Sequence, residues 1–60
     1  MKATVKILEH GKTVRVERYE TLEAAEKEMG RIEKEAHRTH SLWNVIVQKN
    51  GITEFERFFG

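Results

Sequence analysis

The sequence predicts an α+β domain in which two β-hairpins flank one helix, a ββαββ order of elements. Two observations indicate the hairpins: apolar and polar residues alternate over residues 3–7 and again over residues 13–19, and the dipeptides His10-Gly11 and Asn50-Gly51 are turn signals. A third indicates the helix, since the apolar residues between the two hairpins recur every three or four positions. A chain of 60 residues suits one domain, so we expect a single domain over residues 1–60.

The first hairpin is predicted from two alternating strands on either side of His10-Gly11. A two-residue turn at this dipeptide sets Ile7 opposite Val14 and Val5 opposite Val16. Shifting the register by one residue would set an arginine opposite a buried valine. We therefore expect both valines of the second strand to lie in the core.

The helix is predicted over residues 22–38, with Thr21 as its N-cap. Gly30 lies inside it, where glycine costs roughly 0.8–1.0 kcal/mol relative to alanine unless the backbone must approach a bulky neighbour. The apolar residues form a narrow stripe within roughly 80° of arc. The stripe consists of Leu22, Ala25, Met29, Ile32 and Ala36.

The second hairpin is predicted from strands over residues 42–48 and 53–59, joined at Asn50-Gly51. Two registers are open. A two-residue turn pairs Ile46 with Phe55 and Trp43 with Phe58, whereas a type I turn with a bulge at Gly51 pairs Val45 with Phe55 and Leu42 with Phe58. We favour the bulged turn because it gathers one apolar face, made of Trp43, Val45, Val47, Phe55 and Phe59.

The order of strands is predicted from the helical crossover, which makes the second and third strands run in the same direction. We expect a four-stranded mixed sheet in the order 2-1-4-3, with the first and fourth strands central and parallel and the helix packed across one face. With the turn at residues 10–13, the Thr21 cap and the strand ending Phe58-Phe59-Gly60, nearly the whole chain resembles the immunoglobulin-binding repeats of protein G and protein L. The resemblance is one of architecture and implies no binding residue.

Composition narrows the function classes. Eleven basic residues against 10 acidic ones give a net charge of +1, which does not favour a dedicated nucleic-acid binder or a membrane-surface protein. The chain has no cysteine and no apolar run of the roughly 20 residues that a membrane span needs. We expect a complete, soluble, cytoplasmic domain with no membrane partner and no small-molecule substrate.

Catalytic and metal-binding residues are sparse. Ser41 follows His40 directly, and a triad would have to borrow Glu33, since the chain has no aspartate. Glu33, His37 and His40 could converge on a zinc ion if the helix continued through His40. Solvated histidines at a helix end are the more ordinary interpretation. We therefore expect no enzyme activity, no cofactor and no metal.

An apolar excess is the most informative feature of the chain. Residues 42–47 are apolar on both sides of one strand, and a single helix covers one face of a sheet. We predict a protein interface on the sheet face opposite the helix, used by a homodimer, face to face or edge to edge, or by another protein. The alternative is a monomer that folds these residues into one core with Met29 and Ile32. The predicted interface consists of Leu8, Leu42, Ile46 and Phe58.

Two further interpretations stay open. Basic and aromatic residues on an exposed sheet form platforms for single-stranded nucleic acid, and the outer face is expected to hold Lys6, Arg15 and Tyr19, with Arg57 nearby. The tight turns, the capped helix and the absence of cysteine and proline are also typical of designed sequences. A chain with no biochemical task is therefore the other alternative.

Overall fold

The computed structural model describes residues 2–60, which form four strands and one helix in the predicted order. The elements are β1 Ala3–Glu9, β2 Lys12–Tyr19, α1 Leu22–Arg38, β3 Trp43–Lys49 and β4 Ile52–Phe59. The α+β class and the ββαββ order are therefore confirmed, and α1 has the predicted bounds. Thr21 caps the helix as expected, since its hydroxyl oxygen accepts a hydrogen bond of 3.1 Å from the Ala24 amide.

The strands form one antiparallel sheet in the order β2-β1-β3-β4. The prediction of a mixed sheet in the order 2-1-4-3 is wrong, because β1 and β3 are the central pair and run antiparallel. Strand burial explains the difference. β3 buries Trp43, Val45 and Val47, whereas most of β4 is exposed, so more apolar surface is removed from water when β3 takes the central place. β2 and β3 do run in the same direction, as predicted.

Each hairpin closes with a two-residue turn, at His10-Gly11 and at Asn50-Gly51. All four residues have positive φ: 54° and 81° in the first turn, 54° and 78° in the second. Such values are typical of the type I′ turn, whose twist matches that of the flanking strands. Glycine at the second position of each turn adopts this backbone without steric cost.

A β-bulge after the first turn overturns the predicted register of the first hairpin. The ladder shifts between Leu8 and Ile7, so that Ile7 lies opposite Arg15 and Val5 opposite Glu17. The predicted pairs with Val14 and Val16 are wrong. One extra residue in a strand moves all later side chains to the other face of the sheet, and both valines are exposed instead of buried, at 52% and 45%.

The second hairpin has its bulge at the equivalent place, between Val47 and Gln48. Val47 therefore pairs with Phe55, and neither predicted register is right. The apolar face expected from the bulged turn is nevertheless present, because Trp43, Val45, Val47 and Phe59 are buried and Phe55 packs against them.

The two hairpins have the same architecture. Ala3 corresponds to Trp43, Gly11 to Gly51 and Tyr19 to Phe59, always forty positions apart, and the turns and bulges coincide under the same shift. The two central strands pair so that Lys6 lies opposite Ile46. These two positions are also forty apart, so a pseudo-two-fold axis passes between them, perpendicular to the sheet.

The core lies between α1 and the central strands. A methyl group built on Gly30 would meet no other described atom within 4 Å, apart from the adjacent residues and the helix backbone. The helix therefore does not require glycine at this position. Of the predicted stripe, Ala25, Ile32 and Ala36 are buried, while Leu22 and Met29 are partly buried against the core. The buried apolar residues are Ala3, Val5, Ile7, Ala25, Ile32, Ala36, Trp43, Val45, Val47 and Phe59.

Candidate protein interface

The side of the sheet away from α1 is uncovered by any described residue, and we call it the open face. Three rows of paired residues cross it from β2 to β4, because alternate residues of each strand point to the same side. The first row is Thr13, Leu8, Asn44 and Phe58. The second is Val16, Lys6, Ile46 and Glu56. The third is Arg18, Thr4, Gln48 and Thr53.

Four large apolar side chains lie in the first two rows of the open face. Phe58 is 63% exposed and Val16 45% exposed, while Leu8 and Ile46 are half-buried. Leu8, Ile46 and Phe58 line one shallow depression together with Asn44 and Glu56. The third row has only polar and charged residues, so the open face has an apolar end and a polar end.

Three of the four residues predicted for the interface are therefore brought together: Leu8, Ile46 and Phe58. Leu42 lies just beyond the first row, beside Gly60, and is 51% exposed. It also lines a separate cleft with Ala36 and His37 at the C-terminal end of α1. Leu42 thus extends the apolar end of the open face towards the helix terminus.

Sequence reasoning missed Val16 as a residue of the open face, because the unbulged register would bury it. The narrow apolar stripe of α1 was a usable signal. A stripe of this width covers the two central strands, and the edge strand β2 then meets the charged flank of the helix. Arg15 and Glu17 suit that position better than two valines, since Glu35 and Arg31 face them from α1.

The contact between β2 and α1 is a network of ion pairs. The Arg15 guanidinium makes a bidentate contact with the Glu35 carboxylate, at 3.0 Å and 3.3 Å. Arg31 Nη2 lies 3.1 Å from Glu17 Oε1 and also binds Glu28. The Tyr19 hydroxyl donates to Glu17. Paired and partly buried charges thus replace apolar packing along this edge.

The network shifts several pKa values in the directions that these contacts require. The hydrogen bond from Arg15 holds the pKa of Glu35 below its ordinary value of 4.5. The hydrogen bond to Glu35 raises the pKa of Arg15. Burial, followed by the hydrogen bond to Glu17, raises the pKa of Tyr19. These charged groups therefore fasten the edge strand to the helix at neutral pH.

The platform predicted for single-stranded nucleic acid is not assembled. Arg15 and Tyr19 point towards α1, where they belong to the ion-pair network. Arg57 lies on the same side, with its guanidinium carbon 5.4 Å from the centre of the Phe55 ring. Of the three residues expected on the outer face, Lys6 lies on the open face, and Arg57 is near it as expected, since it also lines the shallow depression there.

The catalytic and metal-binding candidates are likewise not brought together. α1 ends at Arg38, and His40 has a left-handed backbone with φ of 55°, so it does not continue the helical spacing from Glu33. The Ser41 hydroxyl lies 2.7 Å from the Thr39 hydroxyl. Within residues 2–60, no three histidine or carboxylate side chains are grouped in a way that could hold a metal ion.

Comparison of the chain with protein-family models, curated proteins and solved structures finds no match. No helix in the described part of the chain could span a membrane. The open face is therefore the feature on which a proposal for function rests.

Proposed function

We propose that the chain is a non-enzymatic association domain that forms a homodimer by packing the open faces of two sheets together. The main support is the apolar end of the open face, where Phe58 is 63% exposed and Val16 is 45% exposed. Both lie beside Leu8 and Ile46. Apolar patches of this kind on small domains usually mark association sites. Sheets that pack face to face bury such residues between two layers about 10 Å apart.

Face-to-face packing is favoured over pairing of sheet edges. Both edge strands have a bulge, at the register shifts opposite Ile7 and Val47. Bulges disrupt the regular row of amide and carbonyl groups that a second sheet needs for pairing. Edge pairing would also leave the exposed apolar side chains of the open face in water.

Sedimentation equilibrium tests the proposal. The wild-type chain of 7.1 kDa is expected to approach twice that mass as its concentration rises from about 1 µM towards 1 mM. Phe58→Glu is expected to weaken the dimer at least about 100-fold, because a carboxylate would be buried without a partner. Circular dichroism confirms that the variant is folded.

Ile52→Glu is the matched control. Ile52 is 66% exposed, but it pairs with Lys49 beside the start of α1 and lies off the open face. This variant should dimerise like the wild type. A wild-type chain that stays at 7.1 kDa up to about 1 mM, or equal weakening by both substitutions, contradicts the proposed function.

A further inference from the structure

Charged residues are segregated on the open face. Lys6 and Arg18 belong to the first hairpin, and Glu56 belongs to the second. Lys6 pairs with Val16, and Arg18 follows Val16 by two positions on the same side of β2. Val16 therefore has one basic neighbour across the ladder on β1 and a second along β2. At the opposite edge, Glu56 occupies the same row on β4.

When the strands of two packed sheets are aligned, the two-fold axis of the homodimer lies in the interface either perpendicular or parallel to the strands. An axis perpendicular to the strands, through the middle row, sets each strand on its own copy. Lys6 would then face the partner's Lys6, and Glu56 would face the partner's Glu56. It would also set Phe58 of the first row on the partner's Thr53 of the third row, so like charges meet and apolar residues meet polar ones.

An axis parallel to the strands sets β2 on the partner's β4 and β1 on the partner's β3. Each row then lies on the same row of the other copy. Glu56 then lies over the partner's Val16, next to both the partner's Lys6 and the partner's Arg18. Leu8 lies diagonally beside the partner's Phe58, so the apolar ends of the two open faces meet.

We infer that the partner of the open face is a second copy of this chain, oriented with the two-fold axis along the strands so that Glu56 lies next to Lys6 and Arg18 of the other copy. This inference rests on the proposed function. The charge pattern supports it because opposite charges placed across an interface determine orientation and exclude other arrangements. By symmetry the contact occurs twice in each dimer.

Charge exchange between two variants tests the orientation. Glu56→Arg places three positive charges together in its own homodimer, and the double variant Lys6→Glu/Arg18→Glu places three negative charges together. Each is expected to dimerise at least about 10-fold more weakly than the wild type. A mixture of the two variants restores opposite charges at both contacts. The heterodimer should therefore form with an affinity within about threefold of the wild type.

Native mass spectrometry of the mixture, with one variant labelled with ¹⁵N, measures the heterodimer directly. The triple variant Lys6→Glu/Arg18→Glu/Glu56→Arg provides a second measurement, and it should form homodimers like the wild type. The control Lys27→Glu/Lys34→Glu makes the same change in net charge as Lys6→Glu/Arg18→Glu, but on exposed residues of α1. It should leave dimerisation unchanged.

The outcomes separate the two proposals. Weaker homodimers of both Glu56→Arg and Lys6→Glu/Arg18→Glu, together with a dominant heterodimer, support the orientation, because an axis perpendicular to the strands would keep like charges facing each other in every homodimer and would weaken neither variant. If the wild type dimerises and each of the two variants forms homodimers as tightly as the wild type, the orientation is wrong and the association function stands. A monomeric wild type overturns both.

Discussion

Among residues 2–60, three residues other than glycine have a left-handed backbone: His10, His40 and Asn50. His10 and Asn50 hold the first positions of the two hairpin turns. His40 follows the C-terminal cap of α1, where the Ser41 amide donates to the Ala36 carbonyl at 2.8 Å. Glycine is the usual residue at such a helix terminus, since a Cβ atom disfavours this conformation. His40 therefore stores a local conformational cost.

His40→Gly is expected to stabilise the fold by roughly 0.5–1 kcal/mol, because it relieves the left-handed strain. For a domain of this size the thermal midpoint should rise by about 3–6 °C. His37→Gly is the control, since His37 is exposed within α1, and it should lower stability by roughly 0.3–0.5 kcal/mol. A fall in the midpoint of His40→Gly would show that the histidine side chain contributes more than its backbone costs.

At the scale of elements, β2 is attached to α1 by charge instead of by apolar packing. Arg15 bridges Glu17 on its own strand and Glu35 on the helix, and its guanidinium carbon lies 5.6 Å from the centre of the Trp43 ring. The pairing of Glu35 with Arg15 holds the pKa of that carboxyl below 4.5 in the folded state. The contribution of this ion pair to stability is therefore fully present above the pKa that the Glu35 carboxyl has in the unfolded chain. It is lost as the pH falls through the pKa of the same carboxyl in the folded state.

Glu35→Gln is expected to lower the urea midpoint at pH 7, where the wild-type carboxylate is charged and paired. The difference should shrink as the pH falls through the folded pKa of Glu35, because the wild-type carboxyl then becomes protonated in both states. Glu33→Gln changes an exposed carboxylate that forms no ion pair with any described residue. It should show no such pH-dependent difference. A deficit of Glu35→Gln that persists in acid contradicts the ion-pair explanation.

Local signals predicted the elements well, because each depends on a few neighbouring residues. The turns at His10-Gly11 and Asn50-Gly51, the Thr21 cap and the helix bounds all follow from short-range chemistry. The bulges do not. Whether Arg15 or Val16 faces the helix depends on which flank of α1 lies above β2, and that flank is defined only when the strand order is known. The misplaced valines and the predicted nucleic-acid platform both result from this one shift.

At the scale of the whole molecule, the strand order follows from a competition that no single segment decides. Either β3 or β4 could pair with β1, and the predicted order 2-1-4-3 places β4 there. β3 is the more apolar strand, and Val45 and Val47 become fully buried beside Val5 and Ile7. The face grouping in the second hairpin was predicted correctly despite the wrong registers, because alternation alone determines it.

The open face links dimerisation to the stability of the whole molecule. Because only folded chains associate, dimerisation raises the unfolding temperature as the protein concentration increases. The thermal midpoint of the wild type should therefore rise by about 3 °C for each tenfold increase in concentration. Phe58→Glu should have the same midpoint at every concentration. A wild-type midpoint that does not move with concentration is inconsistent with a dimer in this range.

The forty-residue correspondence between the hairpins also allows the same substitution to be compared at two equivalent positions of one chain. Gly11 and Gly51 occupy matching backbone sites, as do Thr13 with Thr53 and Val5 with Val45. The same substitution at both members of such a pair meets identical local geometry but different neighbours. Whatever separates the two measured costs belongs to the surroundings, which allows the influence of context to be weighed within a single polypeptide.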